Sequence, residues 1–565
     1  MRFLLRPFLF LLIVYAAAQV RASGQLEIHV VDRDTGQPLA VRMHLKNAQG
    51  KPVKPPGVPA LGDHFVFFDK IALRLPNGGY EFVIERGSEY LEQSGHFEIE
   101  NFADDTKTIE LRRFVDMAKE GWYSGDLDVD RPAKDLELLM LADDVHVTPL
   151  ISWSNKKAEP AQQPAPKAAA KQPPDGLPKT AANAAGIYQF DSTFFYSLTG
   201  GELSGPGNTL RLFRLEKPLE LADAAAVTGD KKLATALGSL PWLPIVEQAR
   251  KEQHAWVDAG AFFARDLPIW IAAGQVDSIQ LANRHLEREG MVDNEAGGWP
   301  RDVTLFPKPF GNGRWSQEIY YHLLNCGLRI PPTAGSGSGF NNNPVGYNRV
   351  YVNVESAVNE SGENTVRAST ESETAPKNQT GAAQITWDQW WNALRAGRVT
   401  ISNGPLIRPN VEGELPGYVF KADEGKTVDL QIALTLSTRE KIRYLEVIKN
   451  GRNEIEANLD DFQSSGGRLP PIKFTECGWF LVRAITDNSQ TYRYATTAPY
   501  YVEIGYRPRV SRASAQFFLD WTNQRAGEIA EAIKADDSPA AQSALQSVKQ
   551  AQEYWNSLLG KANAD

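Results

Sequence analysis

The chain has 565 residues, with 69 acidic against 60 basic side chains and a net charge of −9. Hydrophobic content of 42% excludes a disordered polymer, and the length exceeds what one core serves, so three or more domains are expected. The mild acidic excess contains no basic stripe, which excludes an electrostatically bound nucleic-acid partner.

Arg2 and Arg6 flank the start of an apolar run, LLRPFLFLLIVYAAA, followed by small residues at Ala16 to Ala18 and at Ala22-Ser23. The run is too short for a permanent membrane span. It reads as a signal peptide over residues 1–22, cleaved near Ala18 or Ala22, and predicts a periplasmic or secreted protein with no stable span after cleavage. The two cysteines, Cys326 and Cys477, fall in different predicted domains and read as free thiols.

From 24 to 114 short alternating segments (LEIHVVD, VRMHLKN, HFEIEN, TKTIELRRF) separated by turns predict a β-sandwich, with a hairpin around Asn77-Gly78-Gly79. His29, His44, His64 and His96 are scattered through it without ligand-like spacing and read as structural or surface histidines. From 115 to 405, strands such as VTPLISW alternate with helical stretches such as AKDLELLMLADD, the pattern of an α/β domain with a mainly parallel sheet. Residues 155–186, rich in Ala, Pro, Lys and Gln, read as a low-complexity insertion, and the polar stretch after Val354 as another exposed loop. TWDQWWNALRAG predicts a helix ending at Gly397. Alternation returns over 406–510, a second β-sandwich, and 511–565 predicts a helical tail of two amphipathic helices. The fold class is therefore multidomain, α/β plus all-β.

The chemistry is concentrated in GWYSGDLDVDRP. Asp126, Asp128 and Asp130 recur at every second residue, so on a strand they share one face. Three like charges that close need a cation, basic partners or open water. An EF-hand loop matches at its first, third, fifth and twelfth places, but Arg131 stands where the turn glycine belongs. A solvated acidic strand end is the plain alternative. GSGSGF, Gly335 to Phe340, lacks the lysine and the strand-to-helix setting of a phosphate loop.

Several segments together carry a resemblance: RGSEYLEQSGHFEIE, RRFVDMAKEGWYSGDL, DLPIWIAAGQVDSIQLANRH, QEIYYHLLNCGLRIPPTAGSGSG with NNPVGYNRVYV, and WWNALRAGRVTISNGPLIRPNVEGELPG. In this order they resemble the CehA/McbA-type, carbaryl-hydrolase-like metallohydrolases of the PHP (polymerase and histidinol phosphatase) superfamily. The resemblance implies a distorted (β/α) barrel with metals at the carboxyl ends of its strands, where metal-bound hydroxide attacks an ester, carbamate or phosphoester. It also implies that Asp126, Asp128, Asp130, His146, Asp258 and His285 are the positions to hold a divalent metal, with Arg349 and Asn403 contacting substrate.

The chain departs from the family at its centre. The family's His-x-His after Gly-Asp is here Asp128 and Asp130, and Ala261, Ala264 and Arg265 replace its lysine and paired tryptophans. Imidazole suits zinc, iron or manganese, whereas carboxylates suit harder ions such as magnesium or calcium. Either the metal has been exchanged among Mn, Mg, Ca and Zn, or none is bound. The leading expectation is an exported pseudoenzyme with an impaired or lost metal centre and a binding or scaffold role toward a small-molecule or glycan ligand. The alternatives are an active metal-dependent hydrolase with a carboxylate-rich site, and a carbohydrate-binding or adhesion protein that uses its sandwiches.

Overall fold

The computed structural model describes residues 23–102, 104–155, 181–182, 186–219, 231–354, 385–533 and 538–565. The signal segment 1–22, most of the 155–186 insertion and the polar stretch 355–384 lie outside the described residues.

The N-terminal unit is two facing sheets. One has the order Lys70–Pro76, Ser23–Asp32, Asp104–Leu111; the other has the order Ala60–Leu61, His64–Phe68, Ala40–Asn47, Gly78–Glu85, Gln93–Ile99. Alternate residues such as Ile28, Val30, Val41, Met43, Phe65 and Phe67 fill the space between them. The expected hairpin at Asn77 is a crossover instead. Lys70–Pro76 pairs with Ser23–Asp32, whereas Gly78–Glu85 pairs with Ala40–Asn47 and Gln93–Ile99. Gly78, at φ 138°, takes the bend that carries the chain from one sheet to the other.

The outer face of the five-stranded sheet is covered around Ala40 and Val66 and solvated toward Glu81, His96 and Glu98. Ala40 and Val66 pack on Leu136, Leu139 and Met140 of the helix Leu136–Asp143. On the same face Arg42 bridges Glu85 and Asp143, and Arg113 ties Glu89 to Asp144 nearby, so the seam with the central unit is welded by buried ion pairs.

In the central unit Val147–Ser154 runs parallel to Phe195–Gly205, which forms an antiparallel hairpin with Asn208–Phe213. The sheet continues antiparallel to Trp256–Ala259, then parallel through Ser278–Ala282 to Pro332–Ala334. The pairing then returns on itself. Just past the strand Trp122–Gly125, the Leu127 amide donates to the Ala334 carbonyl at 3.1 Å, and the Ile151 amide donates to Val129 at 2.9 Å. The acidic segment thus lies between the first and last strands of the path. Only Trp122–Gly125 is regular strand; 126–130 is irregular because its hydrogen bonds go to two different neighbours.

The C-terminal sandwich shares a sheet with the central unit. Leu406–Val411, Val428–Ser437 and Arg468–Phe474 form one sheet. The facing strands Ile442–Lys449 and Gly478–Thr486 continue through Tyr494–Thr497 into Val399–Ser402 and Arg349–Asn353. The helix Trp387–Arg395 starts with a capping box from Thr386 and Gln389, and buries Trp387, Trp390 and Trp391.

The tail helices Arg512–Ile533 and Pro539–Gly560 pack Phe518, Trp521 and Trp555 into the largest core. Arg525 seals the contact, its Nε donating to Asp266 at 2.7 Å and Nη2 to the Ala236 carbonyl at 2.7 Å. Cys326 is buried, Cys477 half-buried, and both are free. Among the described residues no helix is long and apolar enough to cross a membrane.

Candidate functional site

The two sequence motifs meet in space. GSGSGF follows the strand Pro332–Ala334 and lies against GDLDVD: the Gly337 amide donates to the Asp128 carbonyl and the Asp130 amide to the Ser338 carbonyl, both at 2.9 Å. The glycines permit this contact. A Cβ on Gly335 would fall 2.3 Å from the Asp128 Cβ. A Cβ on Gly339, whose φ is +97°, would fall 1.9 Å from the Asp130 carbonyl oxygen. The glycine-rich loop is therefore a brace for the acidic segment.

Asp126 is fully buried and points into that brace. It accepts from the Ser336 amide (2.9 Å) and hydroxyl (2.5 Å), the Gly346 amide (2.6 Å) and the Asp128 amide (3.0 Å). Burial pushes its carboxyl up to about 6 despite these donors.

Asp128, also buried, faces two guanidiniums. Arg284 donates to both its oxygens, Nε at 2.9 Å and Nη2 at 2.7 Å, and Arg211 Nη2 adds a contact at 2.6 Å. Glu202 completes the box, accepting from Arg284 at 2.6 Å and from the Ser204 hydroxyl, with Arg211 at 3.5 Å. Burial alone would raise the Glu202 carboxyl, but Arg284 and Arg211 outweigh it and hold the group below the usual carboxylate range. Register explains the assembly: Glu202 sits opposite Arg211 on the hairpin, and Arg211 opposite Asp258 on the next strand. Arg284 follows the carboxyl end of Ser278–Ala282, at the same end of the sheet as Asp128 and Ser336.

Asp258 lies one layer in. Its oxygens accept from the Ser278 hydroxyl (2.5 Å), the Thr333 hydroxyl (2.6 Å) and Gln280 Nε2 (2.9 Å), and burial pushes it up to about 6.

The remaining sequence-predicted residues do not converge on Asp128. His146 is buried with Nδ1 at 2.9 Å from the Ser124 hydroxyl, stacked on Phe194 and edge-on to Tyr123; burial holds it down to about 4. His285 packs edge-on to Phe263, and its Nδ1 is buried without a hydrogen-bond partner. Asp130 is half-buried at the outer end of the acidic segment. Arg349 is buried and donates to the Gly346 and Asp143 carbonyls, bracing the loop that holds Asp126. Asn403 is buried between Tyr492 and Tyr494, donating to the carbonyl of the former and accepting from the amide of the latter.

These residues do not fit the divalent metal that the resemblance implies. Asp128 is engaged on both oxygens by guanidiniums, Asp126 and Asp258 have their oxygens taken by protein donors, and His146 faces elsewhere. A divalent cation at Asp128 would stand against two buried positive charges.

Sequence reasoning missed Arg211 and Arg284. The usable signal was a charge in the otherwise apolar strand TLRLF. It also missed a second cluster. His44 and His64 are direct register partners on adjacent strands, and with Asp63 they offer ligand atoms within 4.8 Å of one another, a geometry capable of holding a metal ion.

No family model matches this chain, and no curated protein matches it. Among solved structures, the chain is similar over 19% of its length to the Bacillus anthracis TIE protein, at 20% identity with a TM-score of 0.14. Over 16% of its length it is similar to a pilus-presented adhesin, Cpa, at 11% identity with a TM-score of 0.13. The chain spans 19% and 27% of those two structures.

Proposed function

We propose that this chain is an exported protein built on a PHP-like distorted (β/α) barrel of the CehA/McbA type. In this reading its hydrolytic metal centre has given way to an arginine–carboxylate box, and it serves as a binding or scaffold protein at the cell envelope. The observation that carries the reading is the double engagement of Asp128 by Arg211 and Arg284 at 2.6 to 2.9 Å. A metal-bound hydroxide needs carboxylates and imidazoles with lone pairs left for the ion. Here the carboxylate at the first histidine position of the family motif is neutralised by protein cations, and Glu202 balances the second guanidinium. The rim supports a binding role. Phe340 is 68% exposed, and the Arg284 guanidinium lies 4.1 Å from its ring centroid, so an aromatic face backed by a cation is offered to a small-molecule or glycan ligand.

The test pairs metal analysis of tag-free protein with nitrophenyl ester and phosphodiester assays, with and without chelator. The expected result is no chelator-sensitive turnover and a metal content unchanged by Asp128→Asn or Asp130→Asn. Chelator-sensitive hydrolysis, together with metal that either substitution removes, would overturn the proposal.

A further inference from the structure

We propose that His44, Asp63 and His64 form a binding site for a divalent transition metal ion, with zinc as the representative, at the seam between the N-terminal sandwich and the central unit. The site is separate from the arginine–carboxylate box and does not rest on its interpretation.

The scaffold is rigid. His44 lies on Ala40–Asn47 directly opposite His64 on His64–Phe68, so the two rings project from the same face, 5.4 Å apart between centroids. That face is the one packed on the helix Leu136–Asp143. Asp63, the residue before His64, reaches both rings: Oδ2 is 2.9 Å from His44 Nδ1 and Oδ1 is 3.4 Å from His64 Nδ1. Ligand atoms around tetrahedral zinc, bound at ~2.0 to 2.2 Å, stand ~3.4 Å apart. The two Asp63 contacts lie near that value, and the three ligand atoms all lie within 4.8 Å of one another, so small side-chain shifts complete the geometry.

The hydrogen-bonding of His44 is unresolved by the protein alone. Its Nε2 is buried without a hydrogen-bond partner and stands 3.5 Å from Glu85 Oε1, while its Nδ1 faces Asp63. A neutral imidazole has one N–H and one lone pair, so whichever nitrogen carries the proton, the other directs a lone pair at a carboxylate. A cation between His44 Nδ1, His64 Nδ1 and Asp63 removes the conflict, leaving Nε2 to carry the N–H at 3.5 Å from Glu85 Oε1. Metal-bound histidines commonly keep a carboxylate near the second nitrogen.

The neighbouring cations leave the position open. Arg42 is committed to Glu85 and Asp143, and Arg288 to Glu85 at 2.9 Å. Arg288 comes no nearer to Asp63 than 3.8 Å, beyond hydrogen-bond range. Asp63 is 21% exposed, which gives an ion a path and a solvent ligand. Two imidazoles and one carboxylate favour zinc and its neighbours in the transition series over calcium or magnesium.

The test uses the tag-free full chain, stripped with chelator and titrated with zinc at neutral pH by calorimetry, with thermal unfolding in parallel. The expected result is about one zinc ion per chain and a raised melting temperature. His64→Gln and Asp63→Asn each weaken binding at least about tenfold, and Asp130→Asn leaves it unchanged. Asp63→Asn, at a partly exposed residue, guards against a histidine variant that fails to fold. No binding by the unaltered chain, or binding that both ligand substitutions leave intact, overturns the proposal. Zinc that Asp130→Asn removes overturns it too, and would count separately against the metal-free reading of the central site.

Discussion

Asp128→Asn tests whether the arginine–carboxylate box holds the central unit together. The wild-type carboxylate takes three N–H donors from two guanidiniums, with the Asp128 side chain only 2% exposed and that of Arg211 only 1%. Bonds to charged groups contribute about 1.5 to 3 kcal/mol each, but their sum overstates the loss because Arg211 and Arg284 keep Glu202. The asparagine retains one acceptor oxygen and turns an N–H₂ toward the guanidiniums. The relevant scale is that of a buried pair with one partner removed, about 3 to 5 kcal/mol. In a chain of several units one global unfolding energy is not defined, so the measurement is amide hydrogen exchange at Leu127, Asp130 and Gly337, whose bonds join the acidic segment to its neighbours. Protection there should fall, and Arg211→Met in the same background should cost less than it does alone, with a coupling of about 0.5 to 3 kcal/mol. A loss under about 1 kcal/mol, the scale of an exposed ion pair, would refute the reasoning.

Three further outcomes follow from the same geometry. Asp258 is held at about 6 by burial, against about 3.9 in an unfolded chain, so between those values the native chain keeps a proton that the unfolded chain has released. Stability therefore falls as pH rises through that window, and Asp258→Asn should flatten the decline in a pH series of thermal unfolding; an unchanged profile counts against it. Gly339→Ala forces a Cβ onto the Asp130 carbonyl at a φ of +97° and should destabilise by more than about 1 kcal/mol, whereas Gly36→Ala, with open space around its Cβ, should stay near the strain of its turn alone. Arg525→Leu leaves Asp266 buried with the Ser239 and Asn208 donors only, and should loosen the tail helices by about 3 to 5 kcal/mol, read as protease cleavage near Ala526; equal cleavage in both proteins would speak against it.

What the sequence made legible was local. The alternation of LEIHVVD and VRMHLKN and the helix read from TWDQWWNALRAG each rest on neighbouring residues, and the elements are there. Asp126 and Asp128 were also legible as residues that demand compensation. Their partners were not, because Arg211 and Arg284 lie 83 and 156 residues from Asp128 and meet it only through the order of strands in the sheet. The Asn77-Gly78-Gly79 turn shows the same limit: a turn signal states that the chain bends, not which sheet its next strand joins. His44 and His64 have no sequence relation at all until Ala40–Asn47 and His64–Phe68 are set in register.

The two clusters answer one electrostatic demand in different ways, and the difference lies in the distance to the nearest guanidinium. At Asp128 two arginines stand at 2.6 to 2.9 Å, so the carboxylate is satisfied by charges the fold itself supplies. At Asp63 the nearest guanidinium stands at 3.8 Å, and the groups at contact distance are imidazoles, which carry lone pairs as readily as protons. A built-in cation closes a site to metal; an imidazole pair around a carboxylate leaves it open. Asp128 in the central sheet therefore supports a protein-only cluster, and a metal site is better supported at the sandwich seam, where composition and spacing had given no sign of one.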